Sequence, residues 1–408
     1  MKRLLLVAHT FPPAPSPGAL RPGYLVRYLP EFGWNVTTIK ATDGAAPFSA
    51  DVIRAHGPVA AAIDALPFRV RDAVLFPDAA ASWMLQAYRK GLKALRAERF
   101  DAILSTAHPP SVHVVASMLA WRTGLPWIAD FRDAWAGNPY LKRGPLRRRL
   151  EYAAERALLR RASAIAAISD PIAQTLRRVH GRPVAVIPNG FDPSEWDAFP
   201  DVMPDAFELV FTGSMHDGKR TPDLLFEAIR DLAAQGDPAG LEARVAFYGP
   251  SNERAVEAAA RYGIADRVRS AGVVSRPEAM AAQRKAAALL IFLSMDAATH
   301  TEMGSKYLEY AGARRPILAF GPEQSVMRAF LHERGLGWFA SNAEQAREGL
   351  RQAFARFRSD ARLSQVPALP TARDLARGFA ALLDEACAQA QLDRDGVYSA
   401  LPLRTNHF

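Results

Sequence analysis

The sequence contains a single cysteine, Cys387, among its 408 residues. One thiol cannot form an internal disulfide and cannot build a cysteine-based zinc site. These absences are typical of a protein from a reducing compartment, and we therefore expect a cytoplasmic location.

Long apolar runs are also missing. The first residues carry a basic tip and a short apolar run that ends at Pro12 and Pro13. A secretory signal needs a longer apolar core, so we expect these residues to form a buried first strand. No stretch is long enough to span a bilayer. With 49% hydrophobic and 23% charged residues, the composition predicts a soluble globular protein.

Positive charge exceeds negative charge, and part of the excess is local. The formal net charge is +9, and residues 141–161 hold eight basic residues against two glutamates. Apolar residues recur there at helical spacing, which predicts a basic amphipathic helix. They are Leu146, Leu150, Ala154, Ala157 and Leu158. Such a helix either packs by one face on its own domain or makes peripheral contact with anionic lipid headgroups. Nucleic acid is disfavoured, because aromatic residues do not interleave with the basic ones.

Short apolar runs alternate with longer helical patterns, which predicts an α/β protein with parallel sheets and crossover helices. The expected strands of the first half are 3–8, 35–39, 102–105, 127–130, 164–168 and 184–188. The pattern then restarts, with expected strands at 208–212, 244–248, 268–273, 288–292, 316–319 and 337–339.

This repetition predicts two Rossmann-like domains facing each other across a cleft. We expect the first domain to span 1–190, a linker 191–206 and the second domain 207–380. The last segment, 381–408, is expected to end a helix and to return to the first domain. Open parallel sheets bind ligands beyond the carboxyl ends of their strands, so the cleft is the expected site.

Three segments of the first domain carry candidate site residues. The loop HTFPPAPSPGALR brings Gly18 to the start of a helix, where free N–H groups bind anions, or it is an ordinary proline-stiffened loop. It is not a GxGxxG fingerprint, so an NAD site has no support. His108 follows the strand 102–105. The segment PWIADFRDAW supplies Asp130, Arg132 and Asp133, which either contact substrate or form a structural ion pair.

Two segments of the second domain predict a phosphate site. In FTGSMHDGKR, Lys219 and Arg220 precede a helix whose N-terminus already favours anions, although a solvated turn is the alternative. In EMGSKYLEYAGARRPIL, Gly304 and Ser305 open a helix, Lys306 lies in its first turn and Glu309 follows. A cation in a first turn opposes the helix dipole, and a bound phosphate would reverse that penalty. The alternative is a plain amphipathic helix.

With these segments in order, the chain resembles the retaining family-four glycosyltransferases of the GT-B fold over nearly its whole length. The motifs that carry the resemblance are FPPAPSPGALR, PWIADFRDAW, ISDPIAQTL, VIPNGFD, FTGSMHDGKR and GSKYLEYAGARRPIL. The last is similar to the version in a branch associated with bacterial surface polysaccharides. The resemblance implies transfer of a sugar from a nucleotide diphosphate sugar, commonly a UDP-sugar, to a sugar or lipid-linked acceptor. It also implies retention of anomeric configuration in polysaccharide or glycolipid assembly.

The resemblance also implies roles for individual residues. Donor binding falls to a set near the phosphates, base and ribose, namely Gly18, Ser214, Val273, Val274, Gly304, Ser305 and Glu309. The cationic and acidic groups expected to act in catalysis are Arg132, Asp133, Lys219, Arg220 and Lys306, and the acceptor side takes Arg21, His108 and Asp130. No DxD pair is set up beside the diphosphate, so we expect neither a metal nor another cofactor.

Three positions depart from the family pattern. Many relatives have a glutamate where this chain has Thr301, a histidine at Arg132 and an arginine at Ser214. A non-catalytic nucleotide-sugar-binding protein of the same fold therefore remains an alternative to the transferase. A nucleotide-sugar epimerase is a second alternative, and release of a changed sugar without an acceptor distinguishes it.

Overall fold

The computed structural model describes residues 1–14, 17–41, 51–55, 57–136, 138, 143–215, 220–250, 252–295, 306–363 and 368–399. The chain forms two compact units. The first contains residues 1–190 and 370–408, and the second contains residues 191–369.

The first unit is built on a seven-stranded parallel sheet in the order β3-β2-β1-β4-β5-β6-β7. Its strands are β1 (Lys2–Val7), β2 (Trp34–Lys40), β3 (Asp51–Arg54), β4 (Ala102–Ala107), β5 (Trp127–Phe131), β6 (Ala164–Ala167) and β7 (Ala185–Val186). This is the strand order of a Rossmann sheet with one added strand.

Helices join these strands. They are α1 (Pro17–Tyr28), α2 (Pro58–Asp64), α3 (Phe68–Val74), α4 (Met84–Ala97), α5 (Ser111–Thr123), α6 (Pro145–Leu159) and α7 (Asp170–His180). Both faces of the sheet are covered: Leu5 and Val7 of β1 enter one core, and Leu4 and Leu6 enter the other. Because successive side chains of a strand point to opposite faces, this double burial explains why β1 is apolar from Leu4 to Val7.

The final helix, α15 (Ala372–Ser399), belongs to the first unit. Leu375, Phe379 and Leu383 lie in the same core as Leu4 and Leu6. The sequence assigns 370–380 to the second domain, whereas the structure packs these residues with the first, because the apolar stripe of α15 is buried there.

The second unit contains a six-stranded parallel sheet in the order β10-β9-β8-β11-β12-β13. Its strands are β8 (Glu208–Thr212), β9 (Arg244–Tyr248), β10 (Val268–Ser270), β11 (Ala288–Phe292), β12 (Ile317–Phe320) and β13 (Gly337–Ala340). Its helices are α8 (Asp223–Ala234), α9 (Pro238–Leu241), α10 (Glu253–Arg261), α11 (Arg276–Lys285), α12 (Lys306–Gly312), α13 (Val326–Glu333) and α14 (Ala343–Ser359).

The segment expected to be a linker packs into the second unit. Phe191 and Trp196 lie in a core with Tyr310 of α12. A Cβ on Gly312 would lie 2.2 Å from the indole nitrogen of Trp196, so only glycine allows this approach. The second unit thus begins at the residue that follows Gly190.

Each of the twelve expected strands overlaps one in the structure, and the two Rossmann-like folds are as predicted. The strand that the sequence missed is β3, a four-residue edge strand with two charged residues. Among the described helices, none combines the length and the apolar character that crossing a bilayer requires.

Candidate functional site

At the carboxyl end of β5, Asp130 forms a buried ion pair with Arg21 of α1. Arg21 donates to both carboxylate oxygens, at 2.8 and 2.9 Å, and Thr106 donates to the same carboxylate at 2.7 Å. Arg21 also donates to the carbonyl oxygens of Ile187 and Pro188. Because these groups are buried and satisfy one another, their geometry favours a role in joining α1, β5 and the segment after β7.

Arg132 is also directed at the backbone. Its guanidinium donates to the carbonyl oxygens of Ala107 at 2.9 Å and His108 at 2.7 Å, and to that of Gly18. Burial lowers the pKa of Arg132, against the opposing effect of Asp130 and Asp133. Arg132 therefore holds the first turn of α1 against the end of β4, and its nitrogens already have acceptors.

His108 and Asp133 are the remaining candidates at this edge of the sheet, and neither side chain takes part in the contacts of Arg21, Asp130 and Arg132 described above. Burial lowers the pKa of His108, although the carboxylates of Asp133 and Asp78 oppose the shift, so burial favours the neutral imidazole. Asp133 is exposed. Asp78 is buried and accepts from the backbone N–H of Ser111 at 2.6 Å, which fixes the segment before α4 beside the start of α5.

In the second unit, the loops that follow β8, β9 and β10 lie side by side. Gly249 donates its N–H to the carbonyl oxygen of Gly272 at 2.7 Å. Asn252 is buried and donates to the carbonyl oxygens of Gly213 and Gly249, both at 3.1 Å. A Cβ on Gly249, whose φ is 126°, would lie 2.3 Å from the carbonyl oxygen of Gly213. This close approach requires glycine.

These loops carry three of the expected donor contacts. Ser214 directly follows Gly213, while Val273 and Val274 directly follow Gly272. Val273 is exposed. Lys219, Gly304 and Ser305 lie outside the described residues.

Arg220 is a half-buried cation. It lies between β8 and α8, and burial lowers the pKa of its guanidinium. Within the part of the chain that the structure describes, no carboxylate pairs with it. A desolvated cation without a counter-ion is costly, so this position favours an anionic ligand.

Glu309 lies at the centre of a cluster of cations and amides. Lys306 approaches its carboxylate at 3.5 Å and Arg276 approaches it at 3.3 Å, while Gln283 donates a hydrogen bond to it. Burial alone raises the pKa of Glu309, but Lys306, Arg276 and Gln283 outweigh burial and hold the pKa at about 2. Glu309 is therefore ionised at neutral pH.

A hydrogen-bond network ties this cluster to the end of β8. Gln283 donates to the hydroxyl of Thr212 at 2.8 Å, and Thr212 donates its N–H to the hydroxyl of Tyr310 at 3.0 Å. Glu309 and the end of β8 are thus held in one network. The sequence missed Arg276, Gln283 and Tyr310. The SRPE capping box of α11 indicates where that helix begins, but it does not reveal which carboxylate Arg276 meets.

Among the described residues, no group of three or more His, Cys, Asp or Glu side chains is placed to hold a metal ion. The charged groups described at these strand ends are therefore an ionised carboxylate and half-buried cations. This set suits a phosphorylated ligand that also carries hydroxyls.

Two family models match the chain. The model of Glycosyltransferase Family 4 matches residues 23–195, and the model of Glycosyl transferases group 1 matches residues 206–356. Together they span both units and most of the sequence. No curated protein matches the chain.

Several solved structures share the fold. Anabaena Alr3699/HepE, in complex with UDP, is 15% identical with a TM-score of 0.57, over 98% of this chain and 100% of that one. WaaG, a glycosyltransferase involved in lipopolysaccharide biosynthesis, is 15% identical with a TM-score of 0.57, over 95% and 99%. A trehalose-6-phosphate structure from E. coli, bound with UDP-2-fluoro glucose, is 12% identical with a TM-score of 0.59, over 98% and 99%.

The family matches agree with the two parallel sheets and with the motifs of the sequence. The chain is a member of the family-four glycosyltransferases, and its two Rossmann-like units are those of the GT-B fold.

Proposed function

We propose that the chain transfers a sugar from a UDP-sugar to a hydroxyl acceptor, with retention of anomeric configuration and without a metal ion. The acceptor is a sugar or a lipid-linked sugar, in the assembly of a polysaccharide or glycolipid in the cytoplasm. The second unit binds the donor and the first unit binds the acceptor.

The observation that carries this proposal is the ionised state of Glu309. Its carboxylate accepts hydrogen bonds only, and two oxygens match the two adjacent hydroxyls of a ribose. Lys306 and Arg276 keep it charged despite burial. We expect the ribose to bind to Glu309, and Arg276 to shift to make room for it. We expect the side chain of Lys306 to turn away from Glu309 and to pair with the phosphates of the donor instead.

Arg220 supports the proposal for the diphosphate. The bond between the sugar and the β-phosphate breaks in the transition state, and the leaving group gains negative charge. A half-buried guanidinium is worth more there than in water, because the local dielectric is lower. Lys219 adjoins Arg220 in the sequence and is proposed to act with it, as are the N–H groups of Gly304 and Ser305.

The choice of uridine is supported by two of the similar structures, which hold UDP and UDP-2-fluoro glucose. Val273 and Val274 are proposed to meet the base through backbone atoms. Backbone contacts can recognise the hydrogen-bonding edge of the base only when the backbone is held in place. They therefore depend on the loop conformation that the contact between Gly249 and Gly272 fixes.

Retention follows if the departing phosphate takes the proton of the acceptor hydroxyl on the same face of the sugar. The protein then needs to stabilise the diphosphate and orient the acceptor, and a strong base is unnecessary. His108 and Asp133 are proposed to orient the acceptor hydroxyl. Arg132 and the pair of Arg21 and Asp130 hold the edge on which those two residues lie.

The test is a proton NMR time course with a UDP-sugar and candidate acceptors in excess EDTA. Transfer with the starting anomeric configuration supports the proposal, and dependence on an added divalent ion contradicts it. We expect Lys306→Ala to abolish transfer and Lys306→Arg to keep part of it. Full activity of Lys306→Ala would remove that residue from the mechanism.

The same assay separates the alternatives. Donor binding without turnover across many acceptors would make the chain a nucleotide-sugar-binding protein. Appearance of a changed sugar without any acceptor would make it an epimerase.

A further inference from the structure

Two segments of the first unit expose large apolar side chains to solvent. The segment 66–76 contains α3, and the second segment is α6. Val74 is 75% exposed and Leu146 is 71% exposed. We call the surface formed by these segments the basic–apolar patch. Its exposed apolar side chains are Leu66, Phe68, Val70, Val74, Phe76, Leu146 and Leu150.

The orientation of α6 differs from the expected one. The sequence groups Leu146 and Leu150 with Ala154 and Leu158 on one apolar face, but in the structure the two leucines are exposed. The two glutamates of the helix, Glu151 and Glu155, point inward and are each 2% exposed. The outer face of α6 therefore carries arginine, leucine and alanine.

Inward contacts of the glutamates explain this orientation. Glu151 accepts from Arg147 at 3.0 Å and lies 3.3 Å from Arg143. Glu155 accepts from the backbone N–H of Ala136 at 3.0 Å, and His180 lies 2.8 Å from its other oxygen. With both carboxylates fixed toward the domain, Leu146 and Leu150 have to face outward.

The two segments form one continuous surface. Arg143, just before α6, pairs with Asp72 of α3. Arg147 donates to the carbonyl oxygens of Leu75 at 2.9 Å and Pro77 at 3.0 Å, and its guanidinium lies 5.2 Å from the centre of the Phe76 ring. The apolar side chains of 66–76 and of α6 therefore belong to the same patch.

The positive charge of the patch is not neutralised. Its carboxylates are all occupied: Asp64 pairs with Arg71, Asp72 with Arg143, and the glutamates of α6 are held inward. Five exposed arginines have no carboxylate partner among the described residues. They are Arg69, Arg148, Arg149, Arg156 and Arg160.

We propose that the basic–apolar patch docks on the surface of an anionic lipid bilayer. A bilayer offers an apolar boundary for the leucine, valine and phenylalanine side chains and anionic headgroups for the arginines, which is what interfacial helices require. A second copy of this chain would bring the same positive charge and would repel the patch. The proposal does not depend on the proposed transfer reaction, since docking needs neither donor nor acceptor.

The test is co-sedimentation of the full chain with two kinds of vesicle, one of phosphatidylcholine and one with part of it replaced by phosphatidylglycerol. We expect binding to the second kind and little to the first, and weaker binding as salt rises. Charge reversal by Arg148→Glu with Arg149→Glu is expected to weaken binding by about tenfold or more.

A matched control reverses two exposed arginines of the second unit, Arg244→Glu with Arg358→Glu, and gives the same change in net charge. This control is expected to stay within about twofold of the wild type. Equal losses in both double variants would show that net charge alone attracts the chain, and would overturn the patch as the docking surface.

The apolar half of the patch has its own test. Val74→Ser with Leu146→Ser is expected to weaken vesicle binding by about tenfold, because two exposed side chains lose their burial in the lipid boundary. Both positions are exposed, so folding is unaffected. The control is Leu241→Ser with Leu392→Ser, also at exposed positions.

Three further results would overturn the proposal. The first is absence of binding to phosphatidylglycerol vesicles, and the second is equal binding to phosphatidylcholine. The third is a stable dimer in light scattering that the Val74 and Leu146 substitutions convert to monomer, since this would make the patch an interface between copies.

Discussion

Glu309 shows how one carboxylate can be buried and still remain charged. Lys306 precedes it by three residues on α12, and this spacing places both on one side of the helix, as the sequence predicts. Arg276 and Gln283 come from α11, which lies far away in sequence, so local patterns could not reveal them. The arrangement of the cluster is a property of the folded sheet.

Replacing Glu309 by Gln tests the charge. The pKa is about 2 in the folded protein and higher in the unfolded chain, so the stabilisation is present above pH 4.5 and is lost as the pH falls toward 2. We expect Glu309→Gln to lower the free energy of unfolding by roughly 2–3 kcal/mol near pH 7. The difference from wild type should shrink in acid, as measured by urea denaturation, and a difference independent of pH would contradict this origin.

His113 of α5 lies in the core of the first unit and has no part in the proposed reaction. It is fully buried against Phe131, with 4.5 Å between ring centres, and its Nδ1 lies 2.8 Å from the hydroxyl oxygen of Ser105. Burial lowers its pKa to about 3. The imidazole therefore stays neutral in the folded protein at pH values where the unfolded chain binds a proton.

This difference predicts a loss of stability between pH 6.5 and 3. The unfolded state binds the extra proton there, so the free energy of unfolding should fall by up to about 1.4 kcal/mol per pH unit. We expect His113→Phe to reduce that slope. If the free energy of unfolding depends on pH as steeply in His113→Phe as in the wild type, the loss of stability in acid comes from other groups.

At the scale of elements, the strands were the predictable part. Buried parallel strands are apolar on both faces, so runs such as LLLV in β1 and LVF in β8 stand out from the helices around them. The edge strand β3 is only partly buried and carries Asp51 and Arg54, so it gives no such signal. The orientation of α6 was equally hidden, because it depends on the partners of Glu151 and Glu155.

The return of α15 to the first unit depends on a glycine that lies four residues after the end of β7. A Cβ on Gly190 would lie 2.1 Å from the carbonyl oxygen of Thr371, one residue before α15. Backbone cannot move aside as a flexible side chain can, so Gly190→Ala must displace the start of the helix.

We expect Gly190→Ala to destabilise the first unit by about 2 kcal/mol or more, measured as a drop in Tm. Gly144→Ala is the matched control, because a Cβ there meets nothing within 4 Å. Equal Tm values for the two variants would mean that the contact with Thr371 is not needed to hold α15.

At the scale of the whole molecule, each unit repeats one plan with different chemistry. In the first unit, the charged residues at the strand ends mostly contact other groups of the same unit. Arg21 pairs with Asp130, and Arg132 donates to backbone carbonyl oxygens. The second unit leaves Arg220 without a carboxylate partner in its described part and gathers cations around Glu309. This asymmetry supports a phosphorylated donor on the second unit.

The most direct measurement compares UDP with UMP by isothermal titration calorimetry. If Arg220 binds the phosphate that UMP lacks, UDP should bind the wild type at least about tenfold more tightly than UMP, through a charge-assisted bond. Arg220→Ala should remove most of that advantage and leave UMP affinity nearly unchanged, whereas Arg358→Ala should change neither. Equal affinities for UDP and UMP, or an undiminished preference for UDP in Arg220→Ala, would contradict a diphosphate site at the end of β8.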